Sequence, residues 1–225
     1  MNRDSNIYTI TYASVMVVAV AVLLAFTAQS LRSFQKKNED NDKRRQILRS
    51  INVVATDAET EAKYNELIKE SFVVNAKGQK IDGNAFTINA SKMKSDNSFP
   101  VYVATVGGAT KYIVAMHGAG LWGPIWGYIS FDEDKNTVFG SDFSHQGETP
   151  GLGAEIATPK FAGRFTGKHV FKNNAFRSIS IVKPGNAVSD GDYVDGISGG
   201  TITSKGVDRM IRDSLEGYIE FLNAK

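Results

Sequence analysis

The stretch Asp195-Gly-Ile-Ser-Gly-Gly-Thr-Ile-Thr-Ser204 stands directly before the last predicted helix of this 225-residue chain. Residues 207–222 place apolar side chains at three- and four-residue steps, which predicts an amphipathic helix packed on one face. The glycines that permit a tight turn and close approach to a ligand are Gly196, Gly199 and Gly200. The hydroxyls that face the free N–H groups of the helix start are Ser198, Thr201, Thr203 and Ser204. This combination predicts an anion site of the phosphate type.

Helix capping is the alternative for the same stretch, because serine and threonine are preferred N-cap residues. One hydroxyl is enough for a cap, whereas the stretch supplies four hydroxyls and three glycines. The residues alone leave both interpretations open.

Upstream of this stretch, several segments are rich in β-branched and aromatic residues between glycine-containing turns, as strands are. The predicted strands are residues 72–74, 101–106, 112–116, 125–131 and 178–182. Together with the last helix they predict an α+β fold, a mostly antiparallel sheet with helices to one side.

The N-terminal region predicts a membrane anchor. No charged residue lies between Asp4 and Arg32, and residues 13–28 (ASVMVVAVAVLLAFTA) are nearly all apolar. Such a run suits a single bilayer-spanning helix of about 20 residues. A cleaved signal peptide is the alternative, but the apolar core of a signal peptide is shorter than this run, and no A-x-A-like cleavage site follows the run. We therefore divide the chain into an anchor (1–33), a charged helical connector (34–70) and one globular domain (71–225).

Composition excludes several classes of function. A net charge of +2, spread evenly, does not suit nucleic-acid binding. The chain has no cysteine, which excludes disulfides, thiolate catalysis and iron–sulfur ligation. Its three histidines are not spaced to share a metal, so no metal site is predicted.

Two further segments contain candidate binding residues. In residues 145–153 (HQGETPGLG), glycine and proline specify a rigid loop, where Glu148 and Thr149 could bond to the polar edge of a ring and Leu152 could pack on its face. An ordinary turn is the alternative. Residues 118–127 (GAGLWGPIWG) contain both tryptophans, Trp122 and Trp126, which could sandwich a planar ligand or anchor the core at a sheet edge.

In this order, the three segments resemble the FMN-binding domain family, shared by the C component of the sodium-translocating NADH:quinone reductase (Nqr) and the G component of the Rnf complex. The resemblance covers residues 111–225, and the single N-terminal helix fits the same proteins. In the family a flavin transferase takes FMN from FAD and attaches it through its phosphate to the threonine of a D-x-x-(S/T)-G-A-T motif. That motif falls on Asp195, Ser198, Gly199 and Thr201, which implies covalent FMN at Thr201. Gly200 departs from the usual alanine.

The resemblance also implies which residues surround the cofactor. Those expected near the isoalloxazine and phosphate are Glu148, Thr149, Leu152, Gly153, Leu121 and Trp122. Those in the attachment stretch are Ser198, Gly199, Gly200, Thr201, Thr203 and Ser204. It implies no catalytic residue and no metal ligand in this chain.

By this resemblance the chain is expected to be an electron-transfer subunit of a membrane NADH:quinone reductase, passing electrons to another FMN on the way to quinone. NADH itself is not expected to bind, since no strand-borne GxGxxG is followed by a ribose-binding acid. The expected partners are the other Nqr subunits and the flavin transferase. The expected location is the bacterial inner membrane, with the flavin domain on the periplasmic side.

The lysines and arginines that follow the apolar run favour the opposite, cytoplasmic side, but large domains translocate largely regardless of nearby charge. Two alternatives to the function remain: the G component of an Rnf-type complex, which the loops resemble less closely, and an anchored module that binds a phosphorylated ligand without a covalent bond.

Overall fold

The computed structural model describes residues 6–224, and the chain divides into two compact units, Met1–Lys43 and Arg44–Lys225. The helices are α1 (Asn6–Ser50), α2 (Thr60–Leu67), α3 (Pro159–Ala162), α4 (Thr201–Glu216) and α5 (Ile219–Asn223). The strands are β1 (Ile68–Val74), β2 (Lys80–Ile81), β3 (Phe99–Val106), β4 (Ala109–Ala119), β5 (Pro124–Phe131), β6 (Val138–His145), β7 (Phe171–Lys172), β8 (Ala175–Phe176), β9 (Ile179–Val182) and β10 (Asp192–Asp195). Short 3-10 turns span Ala85–Thr87, Ala90–Lys92, Gly153–Ala157 and Gly163–Phe165.

The first unit consists of most of α1. Its apolar side chains are exposed along the predicted anchor, for example Leu24 at 65% and Phe26 at 71%. In residues 6–224, α1 is the one helix whose length and composition suit a membrane crossing. The helix continues without a break past residue 33 to Ser50. The proposed division at residues 33 and 70 stays a prediction.

The second unit is built on a six-stranded antiparallel sheet in the order β2-β1-β3-β4-β5-β6. From β3 onward each strand pairs with the next one along the chain, so the central sheet is a meander. β9 and β10 form a separate parallel pair, and β7 and β8 form a short hairpin. The predicted strand 178–182 thus lies outside the main sheet, as β9.

Both faces of the main sheet are covered. Val101 and Tyr102 are adjacent in β3 and both are fully buried, as are Ile113 and Val114 in β4. Because successive side chains of a strand point to opposite faces, each face must pack against another layer. On one face lie the apolar side chains of α4 and α5, and on the other lie α2 and the end of α1, including the fully buried Ile47. The prediction of helices to one side is therefore wrong, although the α+β class with a mostly antiparallel sheet is confirmed.

The C-terminal helix differs from its prediction in extent. α4 begins at Thr201, ends at Glu216, and is followed by α5, where the pattern predicted one helix over 207–222. A Cβ at Gly217 would lie 2.1 Å from the Phe99 ring, so only glycine allows this close approach. Tyr218 is fully buried and its hydroxyl donates to the Pro100 carbonyl at 3.0 Å. The helix is interrupted where it docks against the start of β3.

Candidate functional site

Thr201 is the first residue of α4, is exposed, and lies on the boundary between two pockets. We call the first the Leu152 pocket; it has a volume of about 220 Å³ and is lined by Leu121, Glu148, Thr149, Leu152, Gly153, Gly199, Gly200, Thr201, Ile202 and Thr203. We call the second the Ile197 pocket; it has a volume of about 350 Å³ and is lined by Ile181, Val182, Lys183, Pro184, Gly196, Ile197, Ser198, Gly199, Thr201, Ser204 and Lys205. The two pockets share Gly199 and Thr201.

The four hydroxyls of residues 195–204 divide into two pairs. Thr203 and Ser204 are buried and bonded within the chain: the Thr203 hydroxyl donates to Glu148 Oε2 at 2.6 Å, and Ser204 Oγ accepts from the Ile197 amide at 2.9 Å. Ser198 and Thr201 are exposed. The N-cap position is Gly200, and in the described chain no side chain caps α4. The first turn of a helix has N–H groups without intrahelical acceptors. These hydroxyls therefore do not act as the helix cap that the sequence left open.

Glu148 connects three separate segments of the site. Its Oε1 accepts from the amides of Leu121 at 2.8 Å and Trp122 at 2.9 Å, and its Oε2 accepts from Thr203. The side chain is only 4% exposed. Burial tends to raise the pKa of this carboxyl, but the hydrogen bonds from Thr203, Trp122 and Leu121 outweigh it and lower the pKa below its ordinary value. Glu148 is thus an ionised group at the meeting point of all three sequence motifs.

The glycines around Glu148 are required by close packing. A Cβ at Gly120 would lie 2.4 Å from Glu148 Oε1, and a Cβ at Gly153 would lie 2.4 Å from Glu148 Oε2 and 2.5 Å from Thr203 Oγ1. Any side chain at these positions would displace the carboxylate. Gly120 of residues 118–127 and Gly153 of residues 145–153 therefore both pack against the Glu148 carboxylate.

The loop from His145 to Gly153 is held by its own hydrogen bonds, as its composition predicts. The Glu148 amide donates to His145 Nδ1 at 3.1 Å, and the Leu152 and Ala154 amides both donate to the Thr149 carbonyl at 3.1 Å. Thr149, Leu152 and Gly153 all line the Leu152 pocket.

The two tryptophans have different surroundings. Trp122 is 69% exposed and is not among the residues that line either pocket, although its amide is bonded to Glu148. Trp126 is partly buried in β5, and its Nε1 donates to Gln46 Oε1 at 3.1 Å near the end of α1. Trp126 also lies outside the lining of both pockets, and its bond to Gln46 fits the interpretation of an anchor of the sheet.

Exposed apolar side chains are concentrated at this site. Across the described part of the Arg44–Lys225 unit, the large hydrophobic residues that are exposed are Val54, Leu121, Trp122, Leu152 and Ile202. All but Val54 belong to segments that border the Leu152 pocket. A cluster of exposed apolar side chains rimmed by polar residues is typical of a surface that binds a ligand or a partner.

Sequence reasoning missed two kinds of residue at the site. Arg164 donates through one guanidinium nitrogen to the carbonyls of Asp195 at 2.5 Å and Gly196 at 3.3 Å. These bonds hold the backbone at the start of residues 195–204. Lys183 and Lys205 place two cationic side chains on the Ile197 pocket. Arg164 lies about thirty residues before its partners, and no local pattern indicated it.

A protein-family model described as an FMN-binding domain matches residues 120–216, which include every residue of the Leu152 pocket. The chain is 30% identical to the C component of the Na(+)-translocating NADH-quinone reductase of Vibrio vulnificus, over 92% of this chain and 89% of that protein. It is 31% identical to the protein of the same name from Haemophilus ducreyi, over 94% of this chain and 90% of that one.

Two solved structures are similar to the fold. The crystal structure of the C component of the Na(+)-translocating NADH-quinone reductase from Parabacteroides distasonis has 62% sequence identity and a TM-score of 0.85, covering 87% of this chain and 98% of that one. The crystal structure of NqrC from Shewanella oneidensis has 25% identity and a TM-score of 0.69, covering 83% of this chain and 97% of that one.

Proposed function

Since the chain belongs to the NqrC family, the C components of the Na(+)-translocating NADH-quinone reductases, we propose that it is a membrane-anchored electron-transfer subunit carrying FMN on Thr201. The observation that carries the proposal is the position of Thr201. It is an exposed hydroxyl at the start of a 16-residue helix, between two pockets and within the segment that the FMN-binding model matches.

The residues present fit FMN. The phosphate would lie at the first turn of α4, where backbone N–H groups and the helix dipole favour an anion. Gly199 and Gly200 bring the backbone close to that position, and Lys183 and Lys205 line the adjoining pocket. Leu121, Leu152 and Ile202 offer exposed apolar surface for a planar ring.

The chain's own residues hold and orient the cofactor, whose reversible uptake and release of electrons supplies the chemistry. The bonded loop around Thr149 and the Glu148 hydrogen bonds fix the walls of the Leu152 pocket. A covalent bond at Thr201 would keep the flavin from dissociating. Electron transfer through the flavin requires no general acid or base from this chain.

The proposed attachment makes a first testable prediction. Thr201→Ala removes the hydroxyl on which the phosphoester forms, so we expect complete loss of covalent flavin in a chain that still folds. The full chain is expressed in membranes together with a flavin transferase, and denatured protein is examined by in-gel fluorescence. Peptide mass spectrometry should find FMN minus water on the peptide that contains Thr201.

Two matched variants control this experiment. Thr201→Ser keeps the hydroxyl and should keep covalent flavin. Ser198→Ala removes the other exposed hydroxyl of the stretch and should also keep it. A flavin-fluorescent band in denatured Thr201→Ala protein would falsify the assignment. An unmodified wild-type peptide with tightly held, extractable FMN would instead support a non-covalent binding module.

The proposal includes the cellular context. The α1 helix anchors the chain in the inner membrane, the Arg44–Lys225 unit is on the periplasmic side, and the partners are the other Nqr subunits and the flavin transferase. What supports it is the exposed apolar surface of α1 together with the family.

A further inference from the structure

Glu148 is the only ionisable side chain among the residues of the described chain that line the Leu152 pocket. The other lining residues are glycine, threonine, leucine and isoleucine, none of which carries a charge. Lys183 and Lys205 lie on the other pocket. Glu148 is therefore the one full side-chain charge among the described residues that line the Leu152 pocket, beside the partial positive charge of the first turn of α4.

The carboxylate is fixed in place. Both oxygens accept hydrogen bonds, from the Leu121 and Trp122 amides and from the Thr203 hydroxyl, at 2.6–2.9 Å. Gly120 and Gly153 approach so closely that a Cβ at either position would lie 2.4 Å from a carboxylate oxygen. Hydrogen bonds to a carboxylate favour its ionised form, and the lowered pKa of Glu148 agrees with a permanent negative charge near neutral pH.

A fixed negative charge beside a redox group makes the addition of electrons less favourable. The interaction is strong inside a protein because the effective dielectric constant is well below that of water. Protein groups that place charge near a flavin ring are among the main means of tuning its potential. Nothing else that lines this pocket in residues 6–224 opposes that charge with a full positive one.

We propose that Glu148 lowers the reduction potential of the flavin on Thr201 by holding a buried negative charge against the Leu152 pocket. This inference rests on the proposed function. It makes Glu148 a positioning and tuning residue: it connects the three segments of the site through hydrogen bonds and acts on the cofactor through its charge.

Glu148→Gln separates the charge from the shape of the side chain. The glutamine Oε1 can accept from the two amides, and its Nε2 can donate to the Thr203 hydroxyl, which is also an acceptor. Glu148→Asp makes the opposite change, since it keeps the charge on a shorter arm. Glu155→Gln is the matched control, because it removes the same charge from a nearby, partly exposed position outside both pockets.

The test is a redox titration of the full chain, purified with its covalent flavin and monitored by visible absorbance. We expect Glu148→Gln to favour flavin reduction at least tenfold, an upward shift of about 30 mV for a two-electron couple. Glu148→Asp and Glu155→Gln should stay near the wild-type potential. A purely structural role would instead lower the thermal midpoint and the flavin content of both Glu148 variants. The reduction potential of the remaining flavin would then not depend on whether the side chain at this position is charged.

Three results overturn the inference. One is an unchanged potential in Glu148→Gln, and another is an equal shift in Glu155→Gln. The third is a folded Glu148→Gln protein without flavin, which would assign the charge to attachment rather than to the potential. If the wild-type chain itself carries no flavin on Thr201, the proposed function fails, and that failure is separate from these three.

Discussion

At the scale of single residues, Gly199 and Gly200 are adjacent but have different structural requirements. Gly199 has φ +77°, a backbone conformation that favours glycine, and a Cβ there would lie 2.6 Å from Leu152 Cδ2. Gly200 has φ −102°, which any residue adopts, and a Cβ there would meet Ile197 and Leu152 atoms at 3.1–3.3 Å. Gly200 is also the position where the family usually has alanine.

This difference makes a prediction for the two glycines. Gly199→Ala should lower the free energy of unfolding by about 1–2 kcal/mol, because it combines backbone strain with a clash against Leu152. Gly200→Ala should change it by less than about 1 kcal/mol, since alanine restricts the unfolded chain while Ile197 shifts slightly. Urea unfolding measures both, and in-gel fluorescence should show reduced flavin for Gly199→Ala alone. Similar losses in the two variants would contradict this account.

The sequence identified the site residues that are close to one another along the chain. The glycines and hydroxyls of residues 195–204 predicted a helix start able to approach an anion, and Thr201 is at that start. The role of Glu148 was not predictable in the same way, because its partners Leu121 and Thr203 are 27 and 55 residues away. The sequence suggested that Glu148 could bond to the polar edge of a ring, and in the structure both of its carboxylate oxygens accept hydrogen bonds from the chain itself. Only the folded chain brings these segments together.

At the scale of elements, the end of α1 is bound to the sheet by a partly buried ion pair. Arg49 Nε and Nη2 donate to the two carboxylate oxygens of Asp142 in β6, at 2.7 and 3.0 Å. Burial raises the pKa of Asp142 even though Arg49 opposes the change. The Ser130 hydroxyl also donates to the Ser50 carbonyl at 2.6 Å. These bonds hold the last turn of α1 against β5 and β6.

The ion pair makes an element-scale prediction. Arg49→Met leaves the Asp142 charge largely buried without its partner and should destabilise the second unit by about 2 kcal/mol. In the double variant with Asp142→Asn, the loss should be smaller than the sum of the two single losses. Thermal and urea unfolding of the four proteins measure the coupling. Additive losses would mean that the pair contributes no specific interaction.

The aspartate of the same pair lies in β6, the longest of the strands that were not predicted from the sequence. Residues 138–145 (VFGSDFSH) contain a glycine, a histidine, an aspartate and two serines, a composition typical of a turn. They form β6, which pairs with β5 along its length, and two of its polar side chains have distant partners: Asp142 is paired with Arg49, and the Ser141 hydroxyl donates to the Ala162 carbonyl at 3.1 Å. The strands with regular apolar content, β3, β4 and β5, were all predicted in place. Polar residues in a strand become predictable only when their distant partners are known.

At the scale of the whole molecule, two features of the sequence favour opposite orientations. The basic residues after the apolar run favour a cytoplasmic domain, whereas the resemblance to the family is the basis on which we propose a periplasmic one. We expect the periplasmic side, because a large folded unit such as Arg44–Lys225 translocates with little regard to nearby charge.

Protease accessibility in spheroplasts tests this expectation. External protease should digest or release the flavin-fluorescent domain while a cytoplasmic marker protein stays intact. Full protection of the domain until the membrane is permeabilised would place it in the cytoplasm and contradict the proposal.

The order of the strands has a consequence for how the domain folds. Most pairs in the main sheet join strands that are neighbours along the chain. The sheet can therefore form mainly from local contacts, and proteins rich in local contacts fold faster. The contact between Thr203 and Glu148 spans 55 residues and depends on α4 docking against an existing sheet. We therefore expect the α4 side of the Leu152 pocket, which carries Thr201, to be among the last parts of the domain to fold. A flavin on Thr201 that also packs on Leu121 and Leu152 would bridge early- and late-folding segments, and so slow the local unfolding of α4.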